Sequence, residues 1–261
     1  MTDALASLLS TTVGDLVAEI ERLRAPALAD EPDAVHQLRT AVRRLRNVLA
    51  GFRRYFRAEP TADLRARLAS YGTLLGDGRD LEVRADDCRH VLEELGRTDL
   101  HDVLVGPLLA AHATEHERLV LWHDTDEAAE LAACLAAWTE QPPLRRKRAK
   151  KPAKKAARAV VRREVRRTVD AAAQGETSHE VRKAARRLRH VAEVADDERA
   201  ARLGKEIQGR LGDHRDALLL AEHLWSSGAP AAAIAHVEAA ASRALEGLPE
   251  AIGLLVALDK I

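Results

Sequence analysis

The sequence predicts an all-α protein made of two four-helix bundles related by a pseudo-twofold axis. Three observations carry that expectation. The 261 residues are rich in Ala, Leu, Val, Arg and Glu, with aromatics at only 3%, a usage that costs little side-chain freedom in helices and leaves few of the residues strands favour. Apolar residues recur at helical spacing along the whole chain, separated by short breaks. The chain also repeats itself: "HQLRTAVRRLR" at 36–46 returns as "HEVRKAARRLR" at 179–189, seven of eleven positions identical, and "LLGDGRD" at 74–80 returns as "RLGDHRD" at 210–216. The same order of elements in both halves marks an internal duplication of a four-helix unit.

In chain order, helices are expected near 3–24, 34–57, 62–76, 79–96, 101–123 and 126–139. No basic stretch precedes an apolar run at the N-terminus, so no signal peptide is read there. The second helix carries the His/Arg phrase. The third and fourth are parted at LGDxRD. There Gly76 allows a tight bend or close helix approach, and Asp77 and Asp80 can cap the next helix or pair with arginine. Pro142 and Pro143 suit no helix interior and mark the best boundary, between a first repeat of about 1–140 and a second of about 145–261. The second repeat is expected to run through helices near 152–173, 177–195, 197–212, 214–227, 230–246 and 249–259, with Gly212, Asp213 and Asp216 at its own junction.

The His/Arg helices have a definite geometry. At about 100° per residue, His36, Arg39, Arg43 and Arg46 share a stripe roughly 80° wide. Val35, Leu38, Val42, Leu45, Leu49 and Phe52 form the apolar stripe opposite. In the second copy His179, Arg182, Arg186 and Arg189 share a face, joined by Lys183 and His190. Val181, Ala185, Leu188 and Ala192 take its core side. A third basic helix lines up Lys151, Lys155, Arg158, Arg162 and Arg166. Helical neighbours three or four apart lie ~5–6 Å from one another, so successive cations can grip successive phosphates of an extended polyanion. Arg offers the forked donors that suit phosphate oxygens. The plainer alternative is a solvated basic face paired with acids, and the matching registers of two copies argue against it.

Formal net charge is zero, yet residues 145–167 hold thirteen Lys or Arg against the single acid Glu164, and 36–57 hold seven Arg and no acid. Segregation of this kind makes a strong local positive field on a neutral molecule. Cys88 and Cys134 lack CxxC spacing, which excludes a zinc ribbon or thioredoxin-like motif and leaves buried thiols in a reducing compartment. No apolar stretch reaches the ~20 residues that span a bilayer, and a soluble cytoplasmic protein with no membrane partner is expected. Neither His36 nor His179 has a ligand-type residue at i+3 or i+4, so no metal is assigned to them. His112, His116 and His123 fall on one helix face and form the one alternative zinc constellation. There is no P-loop and no acidic metal-binding motif of a phosphotransferase, so no enzyme activity, cofactor or catalytic residue is assigned. Residues 139–224 contain no Phe, Tyr or Trp, which disfavours stacking on single-stranded nucleic acid and leaves duplex backbone binding as an alternative.

The duplicated H-x-[LV]-R-x3-RRLR helices, each followed by LGDxRD, resemble the CHAD domain, the conserved histidine α-helical domain. The resemblance runs from about residue 3 to 259, so residues 1–261 read as one such domain. The alternating Glu-x-Glu-x-Lys strand signature of the triphosphate-tunnel domain, a frequent neighbour in that family, is absent. The resemblance implies two bundles around a central basic cavity that binds inorganic polyphosphate, and in some members association with polyphosphate granules. Carried over by motif, the polyphosphate site would comprise His36, Arg39, Arg43, Arg46, His179, Arg182, Arg186 and Arg189. Helical geometry adds Lys183, Lys155, Arg158, Arg162 and Arg166. A metal-dependent phosphate-handling role for the histidines stays as a further alternative.

Overall fold

The computed structural model describes residues 4–174 and 178–259; the predicted helix starts at 3 and 177 lie outside them. It is all-α, with no strand among the described residues and only two isolated bridges, Ala4 to Pro152 and Phe56 to Leu144. The helices are α1 (Leu5–Leu28), α2 (Ala34–Gly51), α3 (Ala58–Glu94), α4 (His101–Leu104), α5 (Gly106–Trp122), α6 (Asp126–Glu140), α7 (Arg146–Ala149), α8 (Ala153–Ala173), α9 (Ser178–Val194), α10 (Glu198–Ser226), α11 (Ala231–Ala244) and α12 (Leu248–Asp259). No helix is long and apolar enough to cross a membrane, among the described residues.

Two expectations about element boundaries are corrected. Neither LGDxRD phrase is a junction: both lie inside unbroken helices, α3 of 37 residues and α10 of 29. A single glycine costs a helix only ~1 kcal/mol, and the packing of Leu68, Leu75, Ala85 and Leu92 along α3, all nearly inaccessible, outweighs it. The His/Arg helix α2 also ends at Gly51 instead of 57. There the chain turns through Phe52–Tyr55, and Arg57 N–H and Arg145 N–H bond across to Pro143 and Tyr55 carbonyls at 2.8 and 2.7 Å. Residues 142–145 thus dock onto the first repeat.

The periodicity explains the packing. Val35, Leu38, Val42, Leu45 and Leu49 of α2, and Val181, Ala185, Leu188 and Ala192 of α9, are all buried. They join one apolar cluster that runs through both repeats, from Leu5 to Leu255. A second cluster, including Cys88, Leu92, Leu104, Leu224 and Val237, sits at the far ends of α3 and α10 with α4 and α11. Both cysteines are free thiols; Cys88 is buried and Cys134 half-buried.

Glycine sets the closest approaches. A Cβ on Gly51 would collide with Val191 Cγ2, and one on Gly204 would sit 2.9 Å from both Ala185 O and Arg189 N of α9. Gly212, by contrast, has nothing within 4 Å. Gly204→Ala should therefore destabilise by about 1–3 kcal/mol through overpacking, whereas Gly212→Ala should stabilise by ~1 kcal/mol through helix propensity. Urea unfolding midpoints read both. Equal shifts for the two variants would contradict the packing described.

Candidate functional site

The two His/Arg helices pack directly on each other. Asn47 Nδ2 donates to His190 Nδ1 at 3.0 Å, joining positions 143 residues apart, the same offset that separates the two motifs. Beside this bond, Arg44 Nε lies 3.3 Å from Glu193 Oε2, and Arg189 Nε donates to Glu193 Oε1 at 2.9 Å. Arg163 Nη2 of α8 donates to the Gly51 carbonyl at the end of α2.

Docked in this way, the motif arginines converge. The Arg43 guanidinium has its pKa pushed down to about 10, first by burial, then by Arg39, Arg189 and Arg182. Arg186, at the equivalent position of the second motif, is pushed down to about 9 by burial, then by Arg43, Arg182, Arg39 and Arg215. Burial also lowers Arg182, with Arg215 the next cause, and Arg46, with Arg65 the next. Arg remains charged at neutral pH regardless, so the shifts express first the cost of burying these charges and then that of holding like charges together. Among the described residues, no protein acceptor reaches the buried Nε of Arg43, Arg46, Arg65, Arg79 or Arg186. Charged donors left without partners are costly in a half-buried site. Chemically, such a cluster can accept an anion that offers several oxygens.

Acids border the cluster at one end. Arg39 donates to Asp80 Oδ1 at 2.6 Å. A cavity there is lined by His36 and Arg39 of α2, Arg79, Asp80 and Asp87 of α3, and Asp216 of α10. Burial raises the carboxyl pKa values of Asp87 and Asp216, and each acid has a neighbouring carboxylate as a further cause: Asp216 for Asp87, Asp80 for Asp216. His36 is lowered by burial and by Arg79, and His179 by burial and by Lys183 and Arg182. Burial and the neighbouring cations thus disfavour the charged form of both histidines at the head of their stripes.

The family assignment follows from comparison with known proteins. The model of the CHAD domain family matches residues 9–225 of this chain. The chain belongs to the CHAD domain family. Two Mycobacterium tuberculosis relatives, the uncharacterized proteins MT2285 and Rv2226, are each 29% identical over 214 residues, 75% of this chain. The chain spans 40% of the length of these relatives. Among solved structures, PptA from Streptomyces chartreusis superposes with a TM-score of 0.77 at 20% identity, covering 97% of this chain and 99% of its own. The CHAD domain from the plant Ricinus communis superposes with a TM-score of 0.72 at 19% identity, covering 98% and 91%. At these identities the likeness is one of fold.

Within this CHAD domain the sequence-derived residues divide. Arg39, Arg43, Arg182, Arg186 and Arg189 act on one another across α2 and α9. Arg46 turns toward Arg65 of α3. Lys183 pairs with Glu180 at 2.9 Å and, with Arg166, lines a separate cavity between α8 and α9. Lys155, Arg158 and Arg162 are exposed on α8, which packs on α9, α12 and α1; Arg158 borders a different cavity beside Leu8 and Val194. The stripe on α8 is real, but the helix places it outside the α2–α9 cluster. Arg79 of the first LGDxRD phrase lines the cavity beside His36, and Arg215 of the second acts on Arg182 and Arg186. Reading the phrase mainly as architecture leaves both out of the sequence-derived set.

The histidine constellation on α5 is engaged otherwise. His112 Nδ1 donates to the Gly78 carbonyl and His116 Nε2 to the Ala27 carbonyl, each at 3.1 Å, with Asp30 at 3.7 and 3.8 Å. His123 Nε2 meets the Tyr71 hydroxyl at 3.1 Å. These bonds tie α5 to α1 and α3. Among the described residues no three His, Cys, Asp or Glu are grouped as a metal site.

His190 supplies a pH test. Its pKa lies well below the ordinary value because of burial, then Arg189, Arg43, Arg44 and Arg186. A depressed folded pKa means that its share of stability is complete above the unfolded histidine pKa of ~6.5 and is lost as pH falls below it. Melting temperature should drop between pH 7 and 5, and the drop should be shallower in His190→Gln. An identical slope in that variant would contradict a buried neutral His190.

Proposed function

We propose that this CHAD domain binds inorganic polyphosphate as a long polyanion, without catalysing its turnover. The carrying observation is the pair Arg43 and Arg186: equivalent positions of two motifs, brought together, half-buried, with buried Nε–H groups that no oxygen of the described residues accepts. A chain of phosphates offers repeated oxygens and charge at a spacing that several guanidinium groups can share. The family assignment and the sequence resemblance support the same ligand. On this reading the protein works in the cytoplasm, at polyphosphate granules.

Nucleic acid is the less favoured polyanion. Phe52, Tyr55, Phe56, Tyr71 and Trp138 are buried in the core, and base stacking needs exposed aromatic faces. Trp225 is exposed, but it lies at the far end of α10, beside the second apolar cluster.

The test is competition for labelled long-chain polyphosphate by unlabelled polyphosphate and by duplex DNA at equal phosphate concentration and several salt levels. Polyphosphate should displace the label and DNA should do so far less well; equal displacement would overturn the ligand assignment. Arg43→Gln with Arg186→Gln should weaken binding by roughly tenfold or more, at ~1.5–3 kcal/mol for each charged hydrogen bond, and flatten the salt dependence. In the absence of ligand the same double variant should melt higher at low salt, because like-charge repulsion is relieved. Orthophosphate release over time would favour an enzyme instead.

Asp80 competes with the ligand for Arg39. Asp80→Asn should tighten polyphosphate binding by about two- to fivefold, the range expected of a partly exposed ion pair. Titration calorimetry at low salt measures it, and weaker binding in a folded variant would contradict the competition.

A further inference from the structure

A second cationic cavity opens between α8 and α9, about 420 Å3 in volume. Five cations line it, Arg163, Arg166 and Arg167 from α8 and Lys183 and Arg187 from α9, against Asp170 and Glu180. It differs from the central cluster in the direction its α9 residues take. Arg186 acts with Arg43 of α2, whereas its neighbour Arg187 acts with Arg167 and Glu164 of α8.

Behind the cavity is Glu164, the one acid of the basic run, only 3% exposed. Its Oε1 accepts from Arg163 Nε at 3.2 Å and Nη2 at 3.0 Å, and its Oε2 lies 3.6 Å from Arg187 Nε. A carboxylate so buried is stable only when paired with cations. It holds two of the lining arginines from the inside while the cavity stays cationic. Among the described residues, Arg187 Nε and Glu164 Oε2 have no hydrogen-bond partner. Burial and then Arg167 push the Arg187 guanidinium pKa down even with Glu164 beside it. Arg166 Nε lies 3.7 Å from Asp259 Oδ2, a long ion pair. One buried acid thus holds Arg163 and Arg187 in place, and with Asp170 and Glu180 it still leaves the five lining cations in excess, as an anion site requires.

The cationic charge of α8 is not repeated on α1, the helix in the equivalent place beside α2. α8 carries seven Lys or Arg against Glu164 and Asp170. α1, which packs on α2 as α8 packs on α9, carries Asp15, Glu19 and Glu21 against Arg22 and Arg24.

We propose that the α8–α9 cavity is a second anion-binding site, present in the second repeat alone, which takes phosphate-bearing anions through Arg163, Arg166, Arg167, Lys183 and Arg187. It stands independently of the reading given to the central cluster. The phosphates can come from the same polyanion continuing past α9, or from a separate small phosphorylated ligand. Titration calorimetry with inorganic tripolyphosphate separates the sites: the native chain should bind two equivalents, Arg166→Gln with Arg167→Gln one, and Arg43→Gln with Arg186→Gln one. A folded α8 double variant that still binds as many equivalents as the native chain, with unchanged affinity, would overturn the second site whatever the central variant does. Loss of the tripolyphosphate equivalent only in the central variant would overturn it as well. Long-chain polyphosphate then identifies the source. An α8 variant weakened by about tenfold in long-chain affinity, near 1.4 kcal/mol, shows one chain spanning both sites. Unchanged long-chain affinity with the tripolyphosphate equivalent lost shows a separate small ligand.

Discussion

The closeness of α2 and α9 is the constraint on which the rest of this structure depends. Gly51 lets Val191 reach the backbone of α2, and the bond between Asn47 and His190 fixes the register of the contact. That register decides which residues of each stripe meet. It brings Arg43 and Arg186 into one field and leaves Arg44 and Arg189 sharing Glu193 at its edge. Separated helices would keep each arginine stripe solvated and cheap. Pressed together, the stripes lose water without gaining enough acids, so the apolar cluster on their opposite faces has to outweigh the repulsion.

Compensation in this molecule is selective. Asp80 neutralises Arg39 at the rim and Glu164 underlies Arg163 and Arg187, while buried Nε atoms of Arg43, Arg46 and Arg186 are left without protein acceptors among the described residues. The zero formal charge of the chain is thus a sum over regions that do not cancel where it matters. Acids on α3 and α10 give the cationic region a boundary at the end where His36 stands.

The helical class, the two arginine stripes and their core-facing partners were legible in the sequence, because a period of 3.6 assigns each residue a side before any tertiary contact exists. Val35, Leu38, Val42 and Leu45 are buried as their spacing required. Of the two readings open for Gly76 at LGDxRD, the bend fails and the close approach holds: it is a helical position whose missing side chain makes room for Arg39, since a Cβ there would lie 3.1 Å from Arg39 Nη2. A local glycine signal has the same form for a turn and for a close approach, and only the neighbour distinguishes them. The positions of Lys155, Arg158 and Arg162 failed to join the cluster for a similar reason. Periodicity gives a residue's side of its own helix, and the placement of α8 outside α9 is a fact of packing. Arg79 and Arg215 stay out of a sequence-derived set because a phrase read as shaping the chain does not show which of its side chains face the arginine cluster.

The unbroken course of α3 and α10 has a kinetic consequence. Each helix runs from the main apolar cluster to the second one without a joint, so the cationic region lies between struts anchored at both ends. On the proposed reading, a polyanion would dock on a region already held in place. Its capture would then be limited by encounter and its rate raised by steering in the concentrated positive field. Selectivity among anions would fall to the departure step, where a long chain holding many guanidinium groups must release all of them before it escapes.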